Sequence, residues 1–369
     1  MSSSFPQLGV PAELVTVLAA RAITWPTPIQ ELSLPAALAG RDVAGRAPTG
    51  SGKTLAFGIP LAVRSTRARV ARPRALVLAP TRELAAQIAE SLQPLLVPNK
   101  RSIATFYGGV SETPQLKVLR RGVDIVVGCP GRIGDLVRRG VMILDEVEIV
   151  VLDEADRMAD MGFLPEVRRL LDATPRSRQT LLFSATLDGA VDVLVRNYQR
   201  DPERCEVSPE PTVDRMRHLV VDTPREQRLA ATAQLVDEHG STVVFCRTKH
   251  GADRVARQLS KFGVAAVAIH GNRTQPQRDR ALAAFSDGRA TALVATDIAA
   301  RGIHVDDVRC VIHFDAPDDD KAYVHRSGRT ARAGAEGTVV TFRDPAERQA
   351  SAKPRVQTAA KPKQRRGRR

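Results

Sequence analysis

A glycine-rich segment that ends in lysine and threonine is the first candidate for chemistry: Ala47-Pro48-Thr49-Gly50-Ser51-Gly52-Lys53-Thr54. Gly50 and Gly52 allow backbone N–H groups to converge on phosphate oxygens, and a helix beginning near Lys53 would add its positive dipole end. In this interpretation Lys53 contacts the β and γ phosphates of a nucleotide and Thr54 ligates Mg²⁺. Because Ala47 stands where the phosphate-loop pattern has glycine, an ordinary Gly-Ser turn before a helix is the alternative.

Two carboxylates, Asp153 and Glu154, follow the apolar run at residues 147–152. Such a run predicts a buried parallel strand that delivers the acids to the carboxyl edge of a sheet, where ligands bind in open α/β folds. Asp153 can then hold the magnesium, and Glu154 can orient or deprotonate a water. A solvated acidic turn is the other interpretation. The phosphate loop about a hundred residues upstream favours a nucleoside triphosphatase.

Further strands are predicted at 75–79, 103–107 and 124–127, and glycine, threonine or arginine follows each of them. The following segments are Pro80-Thr81-Arg82-Glu83-Leu84, Gly108-Gly109 and Pro130-Gly131-Arg132. Backbone N–H groups, hydroxyls and guanidinium groups suit a sugar-phosphate chain and read no base sequence. Each segment alone is typical of an ordinary turn, but three at successive strand ends favour a phosphate track.

The roles of three polar residues remain open from the residues alone. The Gln30 amide offers the donor and acceptor that an adenine edge needs, but it equally begins the helix after Trp25-Pro26-Thr27-Pro28. Ser184 and Thr186 follow a strand predicted at 179–183. Their hydroxyl groups either connect the sheet edge that is predicted to bind the nucleotide to another part of the protein, or cap the next helix.

The second half repeats the α/β alternation, with strands predicted at 242–246, 264–269, 292–295 and 311–314. Its main feature is the run from His325 to Arg332, which holds Arg326, Arg329 and Arg332. If a helix begins here, these arginines share a face. They form either a solvated basic face or fingers that stabilise γ-phosphate charge from the opposite domain.

Composition limits the class of protein. The 369 residues are 43% hydrophobic, and the four cysteines are too far apart for a Cys-x-x-Cys pair, which suits a reducing compartment. We find no signal peptide and no membrane-spanning run, and expect a cytoplasmic monomer without membrane contact. Net charge is +14. The last eighteen residues carry +8 and the remainder +6, so charge supports a polyanionic partner without proving one.

These motifs, in this order, closely resemble those of the DEAD-box RNA helicases, which take their name from Asp153-Glu154-Ala155-Asp156. The resemblance covers about residues 5–343. It implies an α/β fold with two tandem RecA-like domains, each a parallel sheet flanked by helices. We expect domain 1 at residues 1–207, a linker at 208–216, domain 2 at 217–345 and a basic, disordered tail at 346–369.

Site residues carry over by position from the family motifs. Lys53, Asp153, Glu154, Arg329 and Arg332 would be catalytic, the last two as arginine fingers, and Thr54 with Asp153 would hold Mg²⁺. Nucleotide contacts are implied for Phe5, Gln30, Thr49, Gly50, Ser51, Gly52, Lys53, Thr54 and Gly302. Interdomain coupling is implied for Ser184, Thr186, His325 and Arg326. Contacts to the RNA backbone are implied for Arg82, Gly109, Gly131, Arg132, Thr248, Gly271, Arg278 and Thr296.

Four positions depart from the family pattern. Pro48 stands where glutamine is common, Ala22 replaces glycine, and Cys129 replaces a threonine whose hydroxyl contacts RNA. His304 stands where an aspartate contacts the ATP ribose, so nucleotide affinity or closure is expected to change there. After residue 342 the family usually continues with a packed helix, which we do not expect here because Pro345 and Pro354 interrupt a short, polar remainder.

The function expected from the resemblance is that of an ATP-dependent RNA helicase. It would use ATP and Mg²⁺ and act on single-stranded RNA and short RNA duplexes. An ATP-gated RNA-binding clamp with little unwinding is the alternative, and a DNA translocase is a weaker one. The basic tail is either an RNA tether or a solvated tail.

Overall fold

The computed structural model describes residues 3–48, 50–207, 216–297, 308–331 and 336–345, without the side chains of Asp320, Lys321 and His325. Within these residues the chain forms two all-parallel sheets of seven and six strands, with helices described between all consecutive strands of each sheet except β11 and β12 of the second. This confirms the predicted α/β architecture. In the same residues, no helix has the length and apolar character needed to cross a membrane.

The first sheet has the strand order β3-β4-β2-β5-β6-β1-β7. Its strands are β1 (Val43–Arg46), β2 (Ala75–Leu78), β3 (Ile103–Phe106), β4 (Ile125–Gly128), β5 (Ile149–Asp153), β6 (Gln179–Ser184) and β7 (Glu203–Glu206). Its helices are α1 (Ala12–Ala20), α2 (Pro28–Leu38), α3 (Lys53–Arg64), α4 (Arg82–Leu96), α5 (Thr113–Arg121), α6 (Pro130–Arg138), α7 (Ala155–Asp160), α8 (Leu164–Asp172) and α9 (Gly189–Tyr198).

The second sheet has the order β10-β11-β9-β12-β13-β8. Its strands are β8 (Met216–Asp222), β9 (Thr242–Phe245), β10 (Ala266–Ile269), β11 (Ala292–Ala295), β12 (Cys310–His313) and β13 (Gly337–Arg343). The helices described here are α10 (Arg228–His239), α11 (Lys249–Lys261), α12 (Gln275–Ser286) and α13 (Asp320–Ser327).

The central strands are continuous apolar runs because helices cover both faces of each sheet. In β5, for example, Val150 packs into the core on one face and Val151 into the core on the other. Successive side chains of a strand point to opposite faces, so a run without polar alternation satisfies both cores. This explains why these strands could be predicted from composition alone.

Strand order divides the carboxyl edge of each sheet into two halves. In the first sheet, β5, β6 and β1 are neighbours and lead into Asp153, Ser184 and the phosphate loop, whereas β3, β4 and β2 lead into the predicted phosphate track. In the second sheet, β10, β11 and β9 are likewise neighbours, and Gly271, Thr296 and Thr248 follow them. The topology therefore groups residues that the sequence keeps far apart.

Two local predictions need correction. The arginine run does not begin a helix, because α13 already begins at Asp320, where Asp319 caps it by accepting a hydrogen bond from the Ala322 N–H at 2.6 Å. The helix ends at Ser327, so Arg329 lies in the turn that follows. In addition, β1, β7, β8 and β13 were missed, and β8 begins at Met216, the last residue of the expected linker.

Candidate nucleotide and RNA site

The phosphate loop has the backbone shape that its glycines permit. Gly50 and Gly52 have φ values of 85° and 90°, and α3 begins directly after Gly52. A Cβ on Gly52 would lie only 2.5 Å from Gln30 Nε2 and 2.7 Å from Thr27 Oγ1. Position 52 therefore requires glycine for two reasons: the backbone is left-handed, and there is no space for a Cβ. The N-terminus of α3 presents its N–H groups at the end of β1, as an anion site requires.

Lys53 is the cation of this loop. Its side chain is buried, and Nζ donates hydrogen bonds to the carbonyl oxygens of Ala47 at 2.8 Å and Pro48 at 2.9 Å. These bonds hold the amine within the loop, close to the carboxylates of β5. Burial acts to raise the pKa of both carboxyl groups, Asp153 and Glu154, and the Lys53 charge opposes that effect in each, which places the three groups in one electrostatic site.

Gln30 connects the segment before α2 to the phosphate loop. Its Oε1 accepts from the Thr27 N–H at 3.1 Å, and its Nε2 donates to the Gly52 carbonyl at 2.9 Å. Thr27 also donates its hydroxyl to the Ser51 carbonyl at 2.7 Å. Gln30 therefore completes a capping box on α2, as the plainer interpretation held, and also braces the loop.

Asp153 and Glu154 lie at the carboxyl end of β5, as predicted, and both are buried. Burial raises the pKa of the Asp153 carboxyl to about 7, although Lys53 opposes that rise. A buried carboxylate that has lost its solvating water is a suitable ligand for a hard cation. Thr54, the second residue of α3, carries the hydroxyl predicted as the other ligand, and its role in holding Mg²⁺ remains a prediction. Among the described residues, no group of three or more His, Cys, Asp or Glu side chains is placed to hold a metal ion.

Glu154 has a different electrostatic environment from its neighbour. Burial raises the pKa of its carboxyl, but the charges of Arg157 and Arg329 outweigh that effect, so its pKa lies below the ordinary value. Arg157 Nη1 lies 2.8 Å from Glu154 Oε2. Since Arg329 belongs to the second half of the chain, the two domains are close enough for an arginine of one to act on the carboxylate of the other. The sequence analysis missed Arg157, whose spacing of three from Glu154 was the available signal.

Ser184 makes hydrogen bonds both to the phosphate loop and to the turn at residues 154–156 that follows β5. Its Oγ accepts a hydrogen bond from the Asp156 N–H at 3.1 Å, and its carbonyl accepts one from the Ala47 N–H at 3.0 Å. The capping alternative is wrong for Ser184 and Thr186, because α9 begins at Gly189 and Asp188 occupies its N-cap position. Ser184 thus couples two parts of the nucleotide edge within the first domain.

Arg326 is buried at the centre of the second domain. Its guanidinium makes a bidentate ion pair with Asp297 at 2.6 and 2.7 Å and donates to the Asp315 carbonyl at 2.8 Å. It also lies 5.2 Å from the centre of the Phe245 ring. These contacts tie α13 to the ends of β11, β12 and β9. Its predicted role between the domains remains a prediction.

A group of polar contacts crosses from the first domain to the second beside the predicted track. Arg82 Nη1 donates to Gln275 Oε1 at 3.3 Å, and Gln275 Nε2 donates to Glu83 Oε1 at 3.3 Å. Arg278 Nη2 lies 2.9 Å from the same Glu83 oxygen. The structure therefore pairs Arg278 with an acid of the other domain. Sequence reasoning gave no role to Glu83.

The remaining residues predicted to contact RNA follow the ends of β3 and β4 in the first sheet and of β9, β10 and β11 in the second. We call these two groups of strand ends the track halves. Arg132 lies 3.3 Å from Glu112, and Thr248 caps α11 by accepting from the Gly251 N–H at 3.0 Å. Gly131 and Gly271 are exposed, and Thr296 is buried. Gly109 has a φ of 75°, and a Cβ there would clash with the Arg82 guanidinium. The structure thus brings Gly109 against Arg82, while RNA contact itself stays a prediction.

Two further positions differ from simple expectation. Phe5 is 1% exposed and belongs to the core of the first domain, so its ring can reach an adenine only after its neighbours move. Cys129 occupies the N-cap position of α6 without a capping hydrogen bond, and burial raises the pKa of its thiol to about 12. The four cysteines are all free thiols.

Several predicted positions lie outside the described residues. They are Thr49, Gly302, His304, Arg332, linker residues 208–215 and the tail at 346–369. The His325 side chain also lies outside the described part of the structure.

Comparison with known proteins identifies the family. The model described as DEAD/DEAH box helicase matches residues 27–193, and the helicase conserved C-terminal domain matches residues 227–334. The chain belongs to the DEAD-box helicase family. DEAD-box ATP-dependent RNA helicase 30 of Arabidopsis thaliana is 41% identical over 92% of this chain and 59% of its own length. DEAD-box ATP-dependent RNA helicase CshA of Geobacillus kaustophilus is 38% identical over 94% of this chain and 74% of its own. The chain thus spans little more than half of some curated DEAD-box relatives.

Solved structures of DEAD-box proteins give the same fold. Saccharomyces cerevisiae Dbp5 bound to RNA and ADP BeF3 superimposes with a TM-score of 0.82 at 30% identity, covering 95% of this chain and 92% of Dbp5. A DEAD box protein from Methanococcus jannaschii has a TM-score of 0.55 at 34% identity, covering 95% of each chain. The two domains of the present chain are therefore arranged as in the ligand-bound Dbp5, which confirms the tandem RecA-like architecture.

Proposed function

We propose that this chain is an ATP-dependent RNA helicase, an RNA-stimulated ATPase that locally unwinds or remodels RNA duplexes or RNA–protein complexes. The observation that carries the proposal is the meeting of the two domains at Glu154. This carboxylate directly follows β5, and the charge of Arg329 from the other domain acts on it. An ATPase site shared between two domains can link hydrolysis to domain movement.

The proposed chemistry assigns a task to each side chain. The phosphate loop and Lys53 bind the β and γ phosphates, and Gln30 faces the adenine side of the loop. Mg²⁺, held by Asp153 and Thr54, would neutralise phosphate charge when bound. Glu154 accepts a proton from the water that attacks the γ-phosphorus, the bond to the β-phosphate oxygen breaks, and ADP and phosphate leave. Arg329, together with Arg332, offsets the charge that develops on the γ-phosphate.

RNA would bind along the track halves of both sheets. The contacts of Arg82 and Glu83 with Gln275 and Arg278 lie beside this track and require the two domains to be together. If ATP and RNA each bind the closed arrangement better, each must favour binding of the other. Closure on a track that accepts only bent RNA would separate a short duplex, and hydrolysis would reopen the cleft.

The first test is ATP hydrolysis by the full chain with and without single-stranded RNA, with Glu154→Gln as the control for contaminating ATPase. We expect strong stimulation by RNA, no stimulation by single-stranded DNA, and loss of hydrolysis in the variant. Separation of a short RNA duplex by the same preparation then tests the helicase step. Hydrolysis stimulated equally by DNA would contradict the proposal.

The alternative is an ATP-gated RNA clamp with negligible unwinding. The shared site with an intact Glu154 and Arg329 favours the enzyme, whereas the replacement at Cys129 favours weaker RNA contact. ATP-dependent RNA binding without stimulated hydrolysis would support the clamp. The expected cytoplasmic location and monomeric state remain predictions.

A further inference from the structure

Glu154 has an unusual backbone conformation for a residue that must place a carboxylate accurately. Its φ and ψ are both 53°, in the left-handed region, and it immediately precedes the six-residue helix α7. Left-handed backbone is disfavoured for residues with a Cβ, so the surrounding structure must hold it there. Neighbouring contacts therefore decide where this side chain points.

Arg157 makes the closest described contact to that side chain. The Arg157 Nη1 to Glu154 Oε2 distance is 2.8 Å, and the two side chains are only 6% and 11% exposed. The Arg157 backbone is held by the same turn, because its N–H donates to the Glu154 carbonyl at 3.0 Å and to Asp156 Oδ1 at 2.9 Å. Asp156 is in turn anchored to Ser184 Oγ. The guanidinium thus belongs to a rigid turn connected to the phosphate loop.

The Glu154 carboxylate has competing cations nearby. The charges of Lys53 and Arg329 also act on it, and both belong to the phosphate-binding machinery. A carboxylate free to rotate would pair with Lys53, which would remove the base from the water and the lysine from the phosphate. An ion pair with Arg157 holds Oε2 at 2.8 Å from Nη1 and opposes this pairing.

We propose that Arg157 is a positioning residue that holds Glu154 in its water-activating orientation. This inference rests on the proposed ATPase function, in which Glu154 is the general base. Arg157 touches neither nucleotide nor RNA in this scheme. Its loss should therefore lower kcat for RNA-stimulated hydrolysis while KM for ATP and nucleotide-dependent RNA binding stay close to those of the parent protein.

The test compares Arg157→Gln with Arg157→Lys, which keeps the charge without the planar fork. Because a general base contributes about 10²–10⁴-fold, we expect Arg157→Gln to lower kcat by roughly tenfold or more. Arg157→Lys should recover a substantial part of that loss. The matched control is Arg138→Gln, which removes an arginine from a surface ion pair with Glu166 far from the nucleotide. It should leave kcat unchanged.

A further measurement separates positioning from damage to the fold. The RNA affinity of Arg157→Gln, measured with ADP·BeF3, should stay within about threefold of that of the parent protein, because the closed state is expected to form without the Arg157 side chain. Unchanged kcat in Arg157→Gln, or equal losses in kcat and RNA affinity, would overturn the inference.

Thermal unfolding distinguishes failure of this inference from failure of the proposed function. The ion pair predicts that Arg157→Gln lowers the melting temperature more in the parent protein than in Glu154→Gln, because only the parent loses the pair. A parent protein without RNA-stimulated ATPase would refute the proposed function. Additive shifts in melting temperature would refute the Arg157–Glu154 pair whatever the activity.

Discussion

Replacing Glu83 with glutamine tests whether the interdomain contacts stabilise the closed arrangement. Glu83 Oε1 lies 2.9 Å from Arg278 Nη2 in an ion pair and accepts a hydrogen bond from Gln275 Nε2 at 3.3 Å, and both partners belong to the second domain. The Glu83 and Arg278 side chains are 4% and 14% exposed. Since these bonds need both domains together, their loss should act on closure and leave the separate domains intact.

The expected size follows from this burial. Truncating one partner of a buried, hydrogen-bonded charge pair costs about 2–5 kcal/mol, and glutamine keeps an acceptor oxygen, so we take the lower end, about 2 kcal/mol. This corresponds to a roughly 30-fold smaller equilibrium constant for closure. RNA affinity measured with ADP·BeF3 should fall by about that factor, because RNA bridges both track halves only in the closed state. Nucleotide affinity without RNA should not change.

The assay is a titration of labelled single-stranded RNA at several salt concentrations. Glu90→Gln is the matched control, because Glu90 is an exposed residue of the same helix, α4. Glu83→Gln should not change the salt slope, whereas Arg278→Gln should lower it by about 1 if Arg278 also contacts a phosphate. An RNA affinity of Glu83→Gln within threefold of the parent would refute the reasoning.

Three other predictions follow from the structure and sequence. Gly52→Ala should weaken nucleotide binding roughly tenfold in titrations, because a left-handed backbone costs a residue with a Cβ about 1–2 kcal/mol and the new Cβ would meet Gln30. Gly140→Ala is the control, because Gly140 is also left-handed but has open space around it, and it should leave nucleotide binding unchanged. Burial, with the Arg326 charge, lowers the pKa of His313 to about 3, so the folded ring stays neutral while the unfolded ring protonates below about pH 6.5. When urea unfolding is measured at pH 5.5 instead of pH 6.5, the parent should therefore lose about 1 kcal/mol more of its free energy of unfolding than His313→Asn does. An equal loss in the two proteins would contradict this. Deleting residues 352–369, which carry +8, should weaken RNA binding and flatten its salt dependence, and an unchanged slope excludes the tether.

Much of the fold was predictable because its strands are locally distinctive. The central strands are buried on both faces, so their apolar runs stand out without any alignment. The strand at 292–295 was predicted with both ends correct, and others differed by one or two residues. Of the four strands that were missed, β1, β7 and β8 are short, glycine-containing or polar: Val43–Arg46 contains a glycine, Glu203–Glu206 is mostly charged, and most of Met216–Asp222 is exposed. The fourth, β13, is largely buried and could have been predicted on the same grounds as the central strands.

The arginine run shows how a spacing argument can select the wrong element. Arginines three apart fit one face of a helix, but the stronger local signal is Asp319, whose carboxylate caps α13 before the run begins. Ser184 illustrates the opposite case. Its hydroxyl could have capped α9 or coupled other groups, and the choice depended on Asp156, which lies 28 residues away and approaches only because β5 and β6 are paired.

The sequence by itself determined the chemistry of each local segment: the glycines and lysine of the phosphate loop, the two carboxylates after an apolar strand, and the basic residues at strand ends. Such features depend on residues within a few positions of each other, so spacing is enough to predict them. Only the tertiary structure decided which segments meet. The contact of Glu83 with Arg278 and the effect of Arg329 on Glu154 join residues more than 170 positions apart. Those pairs depend on strand order and on the arrangement of two domains, and no local pattern encodes either.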